Sequence, residues 1–184
     1  VTGVQTCALP ISHERALHVP LIERTRAAVG DDFALMYDAS MIYGFADAVR
    51  IGRALESCGY LWFEDPLPID DLYNYAKLCA ELDIAVMATE YTPSGFAGYS
   101  PWILMKATDA LRGDVAIKGG ITSCVKAAHL AEAFHMPFEI HHGGNSLNNV
   151  ANLHVALAVP NAEYFEVLLP HADRKSTRLN SSHI

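Results

Sequence analysis

Three apolar runs in this chain each end on a carboxylate, and they do so at a fixed interval. Phe33-Ala34-Leu35-Met36-Tyr37 runs into Asp38, Tyr60-Leu61-Trp62-Phe63 into Glu64, and Ala85-Val86-Met87-Ala88-Thr89 into Glu90. The steps from Asp38 to Glu64 and from Glu64 to Glu90 are both 26 residues. One strand, one helix and two loops take about that length in a β/α repeat. Continuous rather than alternating hydrophobicity marks strands covered on both faces, the habit of parallel sheets. Pro66 stops the middle run just after Glu64 and Asp65. Equal spacing thus predicts three neighbouring parallel strands with an acid at the same height on each. Carboxylates so placed suit one hard divalent cation bound through oxygen. Taken singly, each acid reads better as a helix cap or a solvated loop charge. The register of three is what argues for a site at the strand ends.

The repeat continues along the chain. Helices are expected over 13–28, 45–58 (stopped by Gly59), about 72–82 (capped by Asp70-Asp71), 102–111, from a Thr122 or Ser123 cap to 134, and over 147–159. Further strands are expected over 114–118, 137–141 and 164–169. The landmarks 38, 64, 90, 114, 141 and 166 are separated by 26, 26, 24, 27 and 25 residues. Strands alternating with single helices define a parallel α/β architecture. No glycine-rich phosphate fingerprint follows any strand, which disfavours a dinucleotide-binding sheet. A partial TIM-like barrel of about six parallel strands is the better solution. A complete barrel typically needs about 250 residues, so the 184 residues here are expected to be a fragment with open sheet edges.

The ends do not follow the repeat. Residues 1–11 and 173–184 read as translations of opposite strands of one short-read sequencing adapter, leaving 12–172 as the barrel segment. The net charge of −8 argues against nucleic acid as a partner, and no apolar run approaches the ~18 residues of a membrane span. Four cysteines without CxxC spacing fit a reduced, cytoplasmic setting.

The motifs form an ordered set: Asp38 in Tyr-Asp-Ala-Ser, Glu64 in Phe-Glu-Asp-Pro, Glu90 in Ala-Thr-Glu, Asp114 ahead of Gly-Gly-Ile-Thr, and His141 in Ile-His-His-Gly-Gly. Together they resemble the enolase superfamily, and within it the mandelate racemase-like branch that includes many acid-sugar dehydratases. The resemblance implies a modified (β/α)7β barrel following a capping domain. It implies Mg²⁺ held by Asp38, Glu64 and Glu90, where the branch commonly has Asp-x-Asn in place of Asp38-Ala39-Ser40. It implies a dyad in which Asp114 orients His141 as general base or acid.

The shared chemistry is removal of the proton α to a carboxylate. The expectation is dehydration of a sugar acid to a 2-keto-3-deoxy acid, with racemisation, epimerisation or cycloisomerisation as the alternative. A non-catalytic metal-binding or structural barrel is the reading from another class. The branch's lysine pair would precede residue 12, so the fragment alone is expected to be inactive. The intact protein is expected to be a homo-oligomer acting on a small carboxylate.

Several residues stay open. His142 rivals His141, because strand alternation turns only one of the two inward. His142 and Glu166 are candidates for substrate binding, and Glu166 reads equally as a buried ion pair with Lys118. Lys118 itself reads better as a surface loop lysine. If His141 faces inward, so does Glu139, an unusual charge for a core. His18, His129 and His135 read as surface residues and His154 as a core candidate. Cys58, Cys79 and Cys124 read as small packing residues.

Overall fold

The computed structural model describes residues 3–7, 17–142 and 146–167. Two compact units divide the chain, residues 1–89 with 101–110 and residues 90–100 with 111–184.

The first unit is built of β1 (Gly3–Cys7), α1 (His18–Val29), β2 (Ala34–Asp38), α2 (Phe45–Ser57), β3 (Trp62–Glu64), α3 (Leu72–Glu81) and β4 (Ala85–Ala88). Each strand pairs in parallel with the next, β1 with β2, β2 with β3 and β3 with β4. Alternation sorts the side chains. Leu35, Tyr37, Phe63, Val86 and Ala88 join one apolar cluster with Ile51 and Leu55 of α2 and Tyr75 and Leu78 of α3. Met36, Asp38, Trp62, Glu64 and Met87 therefore take the opposite face. The register sets Asp38 opposite Glu64 and Glu64 opposite Met87.

Local signals account for the element ends. Gly59 follows α2 with φ of 63°, the left-handed conformation that terminates helices. Asp71 caps α3 by accepting the Asn74 backbone N–H at 3.3 Å. The strand leading to Glu90 stops at Ala88, because Thr89 takes φ of 91°, outside the β region and rare for a β-branched residue. Residues 3–7, which do not fit the repeat, nonetheless form β1. The edge of β2 offers a row of backbone groups, and a short segment containing Val4 and Thr6 can add to it.

The second unit contains a 3-10 turn (Gly95–Tyr99), β5 (Ala110–Gly113, from Leu111 onward), α5 (Ile121–Ala133), β6 (Phe138–Ile140) and α6 (Ser146–Ala158). β5 and β6 pair in parallel, and Phe165 adds a single parallel bridge to Ile140. Residues 101–110 belong to the first unit, where Trp102 of a short helix, α4 (Ser100–Leu104), packs edge-on against Tyr75 at 4.8 Å. Gly113 is required by crowding. A Cβ there would stand 2.6 Å from the Tyr99 hydroxyl and 2.8 Å from the tip of Phe138.

Four elements differ from expectation. The fourth expected strand is not 114–118 but Ala110–Gly113. The carboxylate of Asp114 accepts the Ala116 N–H at 2.7 Å, and its carbonyl accepts from Ile117 and Lys118, so Val115-Ala116-Ile117 turns despite its strand-like composition. Asp114 accordingly follows the tip of its strand, as Asp38 and Glu64 end theirs. The helix expected over 102–111 ends at Leu104, and Lys106 takes φ of 52°. Thr122 and Ser123 lie inside α5, whose cap is Gly120. The strand expected over 164–169 is reduced to the bridge at Phe165, and 168–169 lie outside the described residues. All strand pairings within each unit are parallel, and the fold class is the expected one, an α/β partial TIM-like barrel.

Candidate active site

In the first unit two carboxylates stand side by side at strand tips. Asp38 ends β2, and its Oδ1 accepts the Ser40 N–H at 2.8 Å. Glu64 ends β3 with 0 % exposure, and its Oε2 accepts the Trp62 indole N–H at 3.2 Å. Asp65, buried beside it with φ of 36°, is a further acid that the strand pattern did not single out. Adjacent hard oxygen donors with one carboxylate wholly buried are a donor set suited to Mg²⁺, which takes oxygen ligands and few protein groups. Charge of this density inside a fold is costly without a cation or hydrogen-bond donors to meet it.

In the second unit His141 lies between two buried acids. Its Nδ1 is 2.9 Å from Asp114 Oδ2, and its Nε2 is 3.0 Å from Glu90 Oε1. An ionised carboxylate only accepts, so the Asp114 bond puts a proton on Nδ1. Burial disfavours the imidazolium, but the Asp114 bond and the charges of Glu90 and Glu166 outweigh it and raise the His141 pKa above 6.5. Tyr91 sets its ring 6.2 Å from the imidazole. Asp114 is also disfavoured by burial, yet bonds from His141, Asn148 and the Ala116 N–H bring its pKa down to about 2.

His142 is placed differently. It is 0 % exposed, its ring stacks on Phe165 at 6.4 Å, and its pKa is lowered, chiefly by burial. Glu166 accepts the His142 backbone N–H at 2.7 Å and pairs with Arg112 at 2.7 Å. The anticipated Glu166–Lys118 pair is thus replaced by one with Arg112. Lys118 is not a surface lysine. It is 1 % exposed and donates to the Thr92 carbonyl and hydroxyl, both at 2.7 Å, because the turn after Asp114 carries it inward. Glu139 is buried as well, accepting the N–H groups of Glu163 and Tyr164, and burial raises its pKa against those bonds.

Two other histidines depart from expectation. His18 is buried and shares a 2.5 Å bond with the Tyr43 hydroxyl, while His154 is exposed. His129 and His135 are exposed as anticipated. Cys124 is buried in α5 while Cys58 and Cys79 are half-buried, all three as free thiols, and burial pushes Cys79 and Cys124 up to about 12. Sequence reasoning missed Arg112, Asn148 and Asn152. A charge inside Ala-Leu-Arg-Gly and the i, i+4 spacing of Asn148 and Asn152 in the last helix were the available signals.

Parallel β/α units with carboxylates at strand tips in one and an Asp–His pair just beyond a strand tip in the other carry the residue types that acid–base and metal chemistry use. The chain belongs to the family described as enolase C-terminal domain-like, which matches residues 3–182. An arabinonate dehydratase of Saccharolobus solfataricus is 29% identical over 177 residues, covering 89% of this chain and 46% of that protein. The crystal structure of a D-glucarate dehydratase from Agrobacterium tumefaciens complexed with magnesium is similar with a TM-score of 0.83 and 35% identity, over 91% of this chain and 44% of that one. A mandelate racemase/muconate lactonizing enzyme from Sulfitobacter is similar with a TM-score of 0.83 and 25% identity, over 95% of this chain and 46% of that one. The chain spans less than half the length of each of these relatives.

Proposed function

We propose that this chain carries part of the active site of a magnesium-dependent hydro-lyase. Its substrate is a sugar acid, which loses the proton α to its carboxylate and then its β-hydroxyl, giving a 2-keto-3-deoxy acid. The observation that carries this reading is the Asp114–His141 bond of 2.9 Å, which turns Nδ1 to Asp114 and makes Nε2, 3.0 Å from Glu90 Oε1, the nitrogen proposed to exchange protons. Asp114 holds the ring orientation and stabilises the imidazolium. His141 either takes the α-proton or donates a proton to the departing hydroxyl, which leaves as water. The enol that remains tautomerises to the keto acid, so atoms balance without an oxidant.

Asp38, Glu64 and Glu90 are the residues proposed to hold the cation. When bound, Mg²⁺ supplies positive charge where negative charge develops on the substrate carboxylate. Support comes from the Asp38–Glu64 register, the all-oxygen donor set and the magnesium bound by the A. tumefaciens relative. Glu166 and His142 are proposed at the substrate's margin, Glu166 through the carboxylate that Arg112 also engages. Residues 12–172 carry all of these groups, and 1–11 and 173–184 none of them.

No helix among the described residues is long and apolar enough to cross a membrane. A cytoplasmic homo-oligomer acting on small carboxylates, without nucleic acid, is the setting proposed.

The test is turnover by the protein at its full native length. It would be given Mg²⁺ and a panel of aldonates and aldarates, scored by the 2-keto-3-deoxy acid formed. Product formation that disappears in His141→Asn is the expected result. Deuterium entry at the α-carbon in D₂O without loss of water points to a racemase or epimerase instead. Activity unchanged in His141→Asn overturns the mechanism.

A further inference from the structure

The Asp114–His141 pair is not held by the strand ends alone. α6 presents Asn148 and Asn152 four residues apart, hence one turn apart on the same face. The Asn148 amide Nδ2 straddles the Asp114 carboxylate, 2.8 Å from Oδ1 and 3.1 Å from Oδ2. Asn152 accepts the Val115 N–H at 2.9 Å and donates to the His141 carbonyl at 3.0 Å. Chemistry fixes both amide orientations, since a carboxylate or a carbonyl must receive an N–H and a backbone N–H must meet an oxygen. Asn152 is fully buried and Asn148 nearly so.

We propose that Asn148 and Asn152 form an amide clamp on the dyad, with Asn148 a positioning residue that fixes the Asp114 carboxylate for His141. The two amides divide the task. Asn152 ties the residue after Asp114 to the backbone of His141, adding a side-chain brace to the bond from the His141 N–H to the Gly113 carbonyl at 3.0 Å. Asn148 acts on the carboxylate itself. With the Ala116 N–H at 2.7 Å on Oδ1, it fixes the rotation of the carboxylate and leaves Oδ2 turned to the imidazole. Donors to both oxygens also favour the ionised form, in keeping with the depressed Asp114 pKa. A rotationally fixed carboxylate holds the imidazole in one orientation through the Nδ1 bond at 2.9 Å. Two polar side chains on the buried face of α6 cost burial energy, and hydrogen-bonding the dyad gives them their partners.

The inference rests on the reading of Asp114 and His141 as a dyad, so the test separates the two. The imidazole Nδ1 proton of His141 is read by NMR in ring-¹⁵N-labelled protein of full native length, and assigned by its loss in His141→Asn. Asn148→Leu keeps the branched shape and removes the donor. Asn148→Ala removes the amide without that bulk and decides the matter should leucine not be accommodated.

Expected is a downfield Nδ1 proton in the unaltered protein. In the Asn148 variants it moves upfield and exchanges with water at least tenfold faster. On any sugar acid that is turned over, kcat falls about 10–100-fold, the scale of a small misplacement, with KM within about twofold. A proton unchanged in both Asn148 variants overturns the clamp while leaving the dyad intact. If no resonance of the unaltered protein is lost in His141→Asn, the dyad bond is absent, and the functional reading falls together with the clamp.

Discussion

The guanidinium of Arg112 meets the carboxylate of Glu166 at 2.7 Å, with the two side chains only 3% and 14% exposed. Removing one partner of such a pair strands the other charge in a dry setting, which costs about 3–5 kcal/mol. Arg112→Met alone is therefore expected to be among the most destabilising single substitutions in the second unit. Arg112→Met combined with Glu166→Gln removes both charges, and should recover much of that loss because nothing is left unpaired. Denaturant unfolding of the four proteins in a double-mutant cycle measures the coupling. A coupling near zero would mean that the pair contributes nothing beyond packing.

Asp114 makes stability depend on acid. Its folded pKa of about 2 lies below the ordinary aspartate value of 3.8, because bonds from His141, Asn148 and Ala116 outweigh burial. A depressed carboxyl contributes stability that is fully present above the unfolded pKa and is lost as pH falls through the folded one. The shift corresponds to about 2 kcal/mol, disappearing between roughly pH 4 and pH 2. Asp114→Asn should be less stable than the unaltered protein at pH 6, and the gap should narrow toward pH 2. Unfolding curves at closely spaced pH values give both slopes. Parallel slopes would show that Asp114 is not held in its ionised form.

How legible all this was from sequence depends on the kind of interaction. The strands ending at Asp38 and Glu64 announced themselves because burial on both faces leaves an unbroken apolar run, and a terminal acid then stands out. The fourth strand was displaced by four residues, since Val115-Ala116-Ile117 has strand composition while the local Asp114–Ala116 bond makes it turn. Side-chain hydrogen bonding of that kind leaves no periodic trace. Lys118 read as a surface residue for a related reason, as its burial depends on Thr92, 26 residues away. Arg112, Asn148 and Asn152 were invisible as site residues because their partners lie in other elements, and a polar residue in a helix or strand is ordinarily solvated.

Gly113 is expected to resist even one methyl group. A Cβ would lie 2.6 Å from the Tyr99 hydroxyl and 2.8 Å from Phe138 Cζ, and both rings are fully buried. Gly113→Ala should cost about 1–3 kcal/mol through overpacking. Tyr99→Phe removes the hydroxyl, and with it the bond that hydroxyl donates to the Arg112 carbonyl at 3.1 Å. In the Gly113→Ala background that change should return part of the loss, and in the Gly113 background it should only destabilise. Thermal unfolding of the single and double variants checks the sign reversal. The same cost for Tyr99→Phe in both backgrounds would place the crowding elsewhere.

Magnesium binding has a readout that needs no substrate. A ligand that binds only the folded state stabilises it by an amount that grows with concentration, about 2.7 kcal/mol at a hundred times Kd. Titrating Mg²⁺ into the metal-stripped protein of full native length should therefore raise Tm progressively, and EDTA should reverse the rise. Glu64 is the most buried of the three proposed ligands, so Glu64→Gln should remove most of the magnesium-dependent shift. Without metal, the same substitution should leave Tm equal or higher, because it takes a negative charge out of a fully buried position. Opposite signs with and without the cation are the signature of a ligand. Loss of stability under both conditions would instead make Glu64 a structural acid held by the Trp62 indole N–H, and would remove the central donor from the proposed metal set.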